Sequence, residues 1–340
     1  MPDTEVGRNE LAEANYHSEE YSHSSSITSS CSTKSAAATN SGGETNNDHD
    51  EPVTGKHTGN SKDETKNNRR ILKQRPAVCK GGEYKQYKHP GAQAMFKPAA
   101  YLRDFYSDTD NEPAMKIVLL FMPNAVARLP QLGLITMLDI GSGPTVHMAM
   151  CFRQKVRDIY LSDYAAANVA ELRAWRANES NFDWSPVTKL LAKLEGNPAA
   201  WSSMESDTRA RVHGAFQCDI FTPKVLLEGP VDRQFDVVTT VFCTEAACTT
   251  EQQYREGMHN ILSKLKPGGY FAMGGIMQET WYQYDYERYH CHYLTEEEMF
   301  STLADNNMNI ADGSYFYIIH EGIFIIMCQK LYEDDSNETS

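Results

Sequence analysis

A doubly wound, mainly parallel α/β sheet of the Rossmann-like kind is the fold this sequence predicts, on three observations. Apolar runs of strand length alternate with helix-length amphipathic segments from residue 98 onward. The first such run closes on a glycine turn, Asp139-Ile140-Gly141-Ser142-Gly143-Pro144-Thr145. The last two stand only two residues apart, around Glu321 and Gly322, which adds an antiparallel C-terminal edge.

Taken in order, residues 98–108 (PAAYLRDFYSD) begin on a proline suited to a first helical turn and carry aromatics at 101, 105 and 106. Residues 113–129 form a second amphipathic segment, with Pro123 as a kink or stop. These two segments make an N-terminal helical cap. LITMLDIG (134–141) is apolar throughout, the pattern of a strand buried on both faces. The glycine turn and a helical stretch, TVHMAMCFRQ, follow it. RDIYLSD (157–163) is the second strand and residues 164–178 its helix. FQCDI (216–220) reads as the end of a third strand and FDVVTTVF (235–242) as a fourth. The helix YREGMHNILSKL closes on KPGG and leads into strand five, YFAMGG (270–275). TEEEMFSTLADNN is the last helix, before the hairpin of SYFYIIHE and GIFIIMCQK.

The rest of the chain is different. Ser, Thr, Asn and Gly fill 32 of the first 70 positions, so this stretch has too little apolar surface to offset its ordering entropy. Residues 71–88 turn basic. The organisation predicted is a disordered tail and linker over 1–88, one catalytic domain over 89–331, and a disordered C-terminus over 332–340. Acidic residues outnumber basic ones 46 to 32, for a net charge of −14. Such a chain repels phosphate backbones and anionic lipid, so neither nucleic acid nor membrane is an expected partner. No apolar run reaches the roughly 18 residues of a membrane helix, and no basic, apolar leader opens the sequence. The eight cysteines include no C-x-x-C pair, which argues for reduced thiols and a cytosolic, monomeric protein. His290-Cys291-His292 lacks the second ligand pair a zinc site needs, so no metal is expected.

In doubly wound sheets the ligand sits beyond the strand C-termini, at the first strand's turn. Gly141 and Gly143 permit a tight turn and close backbone approach. Asp163 ends the second strand twenty residues after Gly143, placed to hold two ribose hydroxyls, and Asp219 at the third strand's end suits an adenine amino group. Tyr164 is placed to stack on the adenine face. Val146 stands where a dinucleotide fingerprint wants a third glycine, and Pro144 removes a backbone donor for phosphate. The set therefore favours S-adenosylmethionine, which has no phosphate, over NAD. Asp139 is placed for an ammonium group.

The sequence resembles the small-molecule methyltransferases that include the nicotinamide, phenylethanolamine, indolethylamine and thioether enzymes. The resemblance runs over most of residues 96–330 and is carried by FKPAAYLRDFY, LDIGSGPTV, LSDYAAANVAELRAW, NFDWSPV, QCDIF, FCTEAAC, LKPGGYF and ETWY. It implies a class I methyltransferase fold with S-adenosylmethionine as cofactor. It implies that Tyr101 and Tyr106 cover the cofactor, that Gly141, Ser142, Gly143 and Thr145 line its methionine and ribose portion, and that Asp163 and Asn168 bind ribose and the methionine carboxylate region. Asp219 and Ile220 would frame the adenine. Relatives often place Tyr at 147, where this chain has His147.

Glu245 follows the fourth strand and Glu279 the fifth, so both can face one pocket. They match the carboxylates with which the family's amine enzymes hold an amine, and Tyr282 matches a tyrosine that closes over the acceptor. The nicotinamide enzyme instead relies on an Asp at the place of Gly275. An amine must shed a proton to expose its lone pair, whereas a pyridine has one already. The expected activity is N-methylation of a small, aromatic amine, with Glu245, Glu279 and Tyr106 beside the reacting atoms. Two alternatives stay open: a pyridine acceptor such as nicotinamide, and a cofactor-binding regulatory protein without catalysis. The aromatic group Trp281, Tyr282, Tyr284, Tyr286 and Tyr289 would supply an apolar lid or cation–π wall.

Overall fold

The computed structural model describes residues 96–109, 112–131 and 133–332. The tail and linker read from the sequence over 1–88, and residues 333–340 of the C-terminus, lie outside the described residues. Strands β1 (Thr136–Ile140), β2 (Asp158–Asp163), β3 (Val212–Gln217), β4 (Phe235–Val241) and β5 (Leu265–Ile276) form the parallel part of the sheet. The spatial order is β3-β2-β1-β4-β5, and β10 (Ile323–Lys330) then adds antiparallel to β5. On its far side β10 pairs with β9 (Phe316–His320) and, further along, with β8 (Met308–Asn309). The β9–β10 turn takes positive φ at Glu321 and Gly322, a geometry that matches the twist of a two-residue hairpin. The chain reverses direction across the sheet between β1 and β4, and this is where a doubly wound sheet opens its ligand crevice.

Successive residues of each central strand serve opposite layers, as strand geometry demands. Met137, Val237 and Ile325 enter one core, while Leu138, Val238 and Ile326 enter the other. The first core is covered by α2 (Pro113–Ala127), α3 (His147–Phe152), α4 (Ala166–Arg176), α5 (Ser185–Leu194) and α6 (Trp201–Arg209). The second is covered by α8 (Glu251–Ser263) and α9 (Glu296–Asp305). Both of those helices start on capping threonines: Thr250 accepts from Gln253 N and Thr295 from Glu298 N, which satisfies an amide that a helix start leaves unpaired. A separate small cluster holds helix α1 (Pro98–Tyr106) against a two-stranded hairpin, β6 (Trp281–Tyr284) and β7 (Glu287–His290).

Three local expectations change. Pro123 does not stop its helix: α2 runs on through it to Ala127. The KPGG segment does not cap α8, which ends at Ser263 on a right-handed Lys264. Instead Gly268, at φ +75°, sits in β5, whose register with β4 shifts between Phe235 and Val237, so the glycine serves a β-bulge. Strand β3 ends at Gln217, which leaves Asp219 two residues beyond it in a turn.

Asp236 fastens the edge of the sheet opposite the crevice. Its Oδ2 accepts from Ile135 N, Thr136 N and Thr136 Oγ1 at 3.1, 2.8 and 2.9 Å, and its Oδ1 from Lys266 Nζ at 2.7 Å. Burial works against this charge, but the bonds from Lys266 and Thr136 outweigh it and hold the carboxyl below its ordinary range. Asp236→Ala leaves those donors unmet at the mouth of β1. The expected loss is on the order of 2 kcal/mol in urea unfolding; a loss within about 0.5 kcal/mol, the size of an ordinary surface substitution, would contradict the role.

Candidate active site

A cavity of about 1200 Å³ opens where β1, β2, β4 and β5 end, roofed by α1 and the β6–β7 hairpin. Its floor is the glycine turn. Gly141 (φ +71°) and Gly143 (φ +61°) both take left-handed backbone. At Gly141 a second constraint applies, since a Cβ there would lie 2.1 Å from Cys243 Sγ at the end of β4. Only glycine lets the β1 turn and the β4 end approach this closely. Ser142 N donates to Ser162 O at 2.9 Å, so the turn is tied to β2 as well. Beneath the turn, Asp139 is buried and accepts from Thr239 Oγ1 at 2.6 Å. Burial pushes its carboxyl up to about 6. It does not line the cavity, which corrects its expected contact with an ammonium group: the strand is buried on both faces, and its penultimate side chain points into the sheet's flank.

The cavity brings together the residues expected on the cofactor side. Asp163 is 8% exposed. Its Oδ2 accepts from Gly143 N at 2.8 Å, and its Oδ1 from Ala165 N at 2.8 Å and Asn168 Nδ2 at 2.9 Å. Burial raises the carboxyl, and these bonds oppose the rise. Asn168 Oδ1 is buried and has no partner. Tyr164, Asp219 and Ile220 form the next wall. Asp219 Oδ1 accepts from Phe221 N at 2.9 Å, and Asn260 Nδ2 on α8 holds Ile220 O at 2.8 Å. Phe221 also lines this wall and was not foreseen; its place follows from the Asp219 turn, which has no strand-like pattern.

At the other end of the floor, Thr145, His147 and Tyr106 meet. Thr145 Oγ1 donates to Ser142 O at 2.7 Å and stands 3.0 Å from His147 Nδ1. A carbonyl can only accept, so the single hydroxyl proton goes to Ser142 and the imidazole Nδ1–H donates to Thr145. That fixes the tautomer and leaves His147 Nε2 as a lone-pair acceptor, buried and without a partner. Burial lowers the imidazole to about 3, so it stays neutral. Tyr106 rests against His147 at 5.2 Å and against Trp184 at 5.5 Å between ring centres. The turn NFDWSP thereby gains a purpose: Asp183 caps Ser185, and Trp184 is buried beneath Tyr106. Tyr101 packs edge-on to Tyr284 at 5.5 Å.

Glu245 and Glu279 line the remaining side. Glu245, on the one-turn helix α7 (Thr244–Ala247), is 2% exposed. Its Oε1 accepts from Ile276 N at 3.2 Å and its Oε2 from Thr244 Oγ1 at 3.4 Å. No cation is paired with it among the described residues, and burial pushes the carboxyl up to about 7. Glu279 is half-buried and also raised by burial. The buried Cys291 thiol lines the same cavity, raised by burial and then by both carboxylates. Of the aromatic group expected as a lid, Trp281, Tyr282, Tyr284 and Tyr286 line the cavity and Tyr289 does not. Tyr284 and Tyr289 stack at 4.7 Å inside the roof, Trp281 is covered by Arg288 at 4.4 Å, and Tyr286 at the hairpin tip is 95% exposed. Tyr282 stacks on Tyr289 at 5.3 Å. His292 is engaged by Glu298 at 2.8 Å.

The orphaned acceptors His147 Nε2 and Asn168 Oδ1, with the Asp163 carboxylate, call for a ligand rich in N–H and O–H donors. S-adenosylmethionine, with its ammonium, two ribose hydroxyls and adenine amino group, fits that set and that volume. Fold and site define an S-adenosylmethionine-dependent methyltransferase. Residues 85–331 match the NNMT/PNMT/TEMT family, and the chain belongs to it. It is 33% identical over 245 residues to a nicotinamide N-methyltransferase of Caenorhabditis elegans, covering 69% of this chain and 89% of that protein. It is 30% identical to an indolethylamine N-methyltransferase of Oryctolagus cuniculus (66% and 86% covered) and 28% identical to the human phenylethanolamine N-methyltransferase (71% and 90%).

The raised Glu245 carboxyl has a consequence for stability. A carboxyl whose folded value lies above its unfolded one stabilises fully below the unfolded value, near 4.5, and loses that contribution as pH rises through about 7. The ligand-free protein should therefore lose up to roughly 3 kcal/mol from this group between pH 4.5 and 8. Glu245→Gln should flatten that part of the melting-temperature profile. An unchanged slope would show that Glu245 is not buried in its charged form.

Proposed function

We propose that this chain transfers a methyl group to the nitrogen of a small, aromatic amine, with Glu245 and Glu279 holding the amine. The observation that carries this reading is Glu245: a buried carboxyl beside the cavity, with backbone and hydroxyl donors but no cation. Burying an unpaired charge is costly, and a protonated amine entering the cavity offsets that cost. With its folded value near neutrality, Glu245 is also suited to take the amine's proton before transfer. Bound S-adenosylmethionine supplies a methyl carbon already activated on a sulfonium, so the protein's part is placement, desolvation and proton removal.

In this reading Asp163 holds the ribose, Asn168 Oδ1 and His147 Nε2 accept from hydroxyl and ammonium groups, and Tyr164, Asp219 and Ile220 frame the adenine. Gly141, Ser142, Gly143 and Thr145 shape the floor. Tyr101 and Tyr106 close over it, and Tyr282 covers the acceptor. Tyr106 contributes by excluding water at the reacting end, since its buried hydroxyl stays protonated. No described helix is long and apolar enough to cross a membrane; we place the enzyme in the cytosol, as a monomer without nucleic-acid partners.

The 33% identity to a nicotinamide N-methyltransferase favours a second reading, a pyridine acceptor. Gly275 weighs against it, because the position expected to hold that enzyme's Asp has no side chain. The pH dependence separates the two. For an amine, kcat/KM rises with pH as Glu245 and the acceptor lose protons, whereas for a pyridine it stays flat near neutrality.

Glu279→Ala should raise the acceptor KM about tenfold or more while leaving cofactor affinity within about twofold. Asp163→Asn should do the opposite, weakening S-adenosylhomocysteine binding measured by calorimetry by on the order of tenfold. Exchanged effects would reverse the assignment of the two halves of the cavity.

A further inference from the structure

We propose that Gly275 is a positioning residue for acceptor binding: lacking a side chain, it admits the Glu245 carboxyl against strand β5 and so sets the depth at which the acceptor's amino group is held. The inference rests on the amine reading above and assigns a determinant within that site.

A Cβ at Gly275 would lie 2.5 Å from Glu245 Oε1, 3.1 Å from its Cδ and 3.0 Å from Phe324 Cε1. The first distance is shorter than real Cβ contacts and the other two are tight, so Glu245 occupies the space a side chain would take. Conformational freedom is not why glycine stands here, because Gly275 does not take positive φ. Its backbone cannot retreat either: it is paired with Phe324 of β10, inside the longest ladder of the sheet. The next peptide N–H, that of Ile276, donates to the same Oε1 at 3.2 Å. Removing the side chain at 275 thus opens a slot, and the adjacent N–H anchors the carboxyl in it.

Gly274 provides the contrast. Its Cβ would approach Phe324 O and Val241 no closer than 3.4 Å, an ordinary contact. The titratable groups facing Glu245 are Tyr101 from α1, Tyr254 from α8, Cys243 before it and Cys291 after β7. All four carry raised values and are neutral near pH 7, so burial in the slot is what governs this carboxyl. A side chain at 275 would drive it toward the cavity mouth and into water.

The test is a variant cycle on the full chain. Gly275→Ala should raise the acceptor KM on the order of tenfold to a hundredfold, as displacement of a binding group by about 1 Å does. S-adenosylhomocysteine affinity should remain within about twofold. The acidic limb of kcat/KM should move to lower pH, because a carboxyl pushed into water loses the burial that raised it. Glu245→Asp, which shortens the acid by one methylene, should partly rescue Gly275→Ala in both acceptor KM and melting temperature, while Gly274→Ala should leave KM unchanged. The inference is overturned if the Gly275→Ala and Glu245→Asp effects simply add, if the acidic limb stays in place, or if Gly274→Ala raises KM equally. Should the wild type methylate pyridines but no amine, the amine reading fails and the acceptor role falls with it. The melting-temperature cycle then still decides, separately, whether Glu245 fills the slot at Gly275.

Discussion

The carboxylate of Asp163 joins three parts of the chain that would otherwise be independent. It ends β2, takes the Gly143 amide of the β1 turn, and takes Ala165 N and the Asn168 side chain at the start of α4. Without it the glycine turn would be tied to the second strand through Ser162 alone, whose carbonyl takes Ser142 N and whose hydroxyl donates to Asp139 O. Its three bonds use donors that a helix start and a tight turn leave unpaired. The same group is therefore the fastener of the floor and an acid that lines the cavity. A buried carboxylate with this many donors remains ionised more easily than burial alone would allow, and so keeps an acceptor available toward the cavity. The Asn168 amide is oriented in the same stroke, with its oxygen turned toward the space that needs a donor.

The roof is organised by a different force. Asp285 at the hairpin turn pairs with Lys97 at 2.6 Å and approaches Arg103 at 3.5 Å, and its N–H donates to Asp104 at 2.9 Å. Lys97 and Arg103 are about 60% exposed, so these pairs contribute little stability. The Phe96, Ala100, Tyr284 and Tyr289 cluster contributes more, because it removes whole aromatic faces from water. The ion pairs set the register in which helix and hairpin meet, and the rings hold them there. The cluster reaches past the roof to Ala165 at the start of α4, and Tyr101 and Phe105 pack against the first core as well, so the roof is joined to the body of the domain.

Much of this was legible from local pattern. β1 is buried at every position, as its unbroken apolar run requires, and the G-x-G turn, Asp163, Glu245 and Glu279 fall at strand ends because strand ends can be read from composition. What escaped depends on pairs distant in sequence. Nothing local says that Cys243 must pass Gly141, or that Glu245 needs the space above Gly275; both follow only once β1, β4 and β5 are neighbours. The β6–β7 hairpin was hidden for another reason. Its turn places Asp285 and Tyr286 at φ +47° and +61°, where a glycine or asparagine would have signalled a turn, and a tyrosine at such a φ leaves no signal at all. Pro123 and the KPGG glycines misled because a helix packed on a core tolerates a proline, and a glycine after a helix can equally serve a bulge.

The acids of the cavity are not interchangeable, and their differences define how charge is handled. Asp139 lies beneath the floor, answered by Thr239 and sealed from the ligand. Asp163 is answered by three donors that oppose the rise burial imposes on it. Glu245 has two backbone N–H groups, its own and that of Ile276, a distant hydroxyl and no cation, with a value brought near neutrality. The sequence of environments runs from a satisfied charge at the cofactor end to an unsatisfied one at the acceptor end. A carboxylate that is already paired can orient a ligand but gains little from its charge. One that is buried and unpaired gains most from a cation and is most ready to accept a proton. Ligand binding then stabilises the folded protein by mass action. On the reading proposed above, a buried carboxyl without a cation is better complemented by an ammonium group than by a neutral ring.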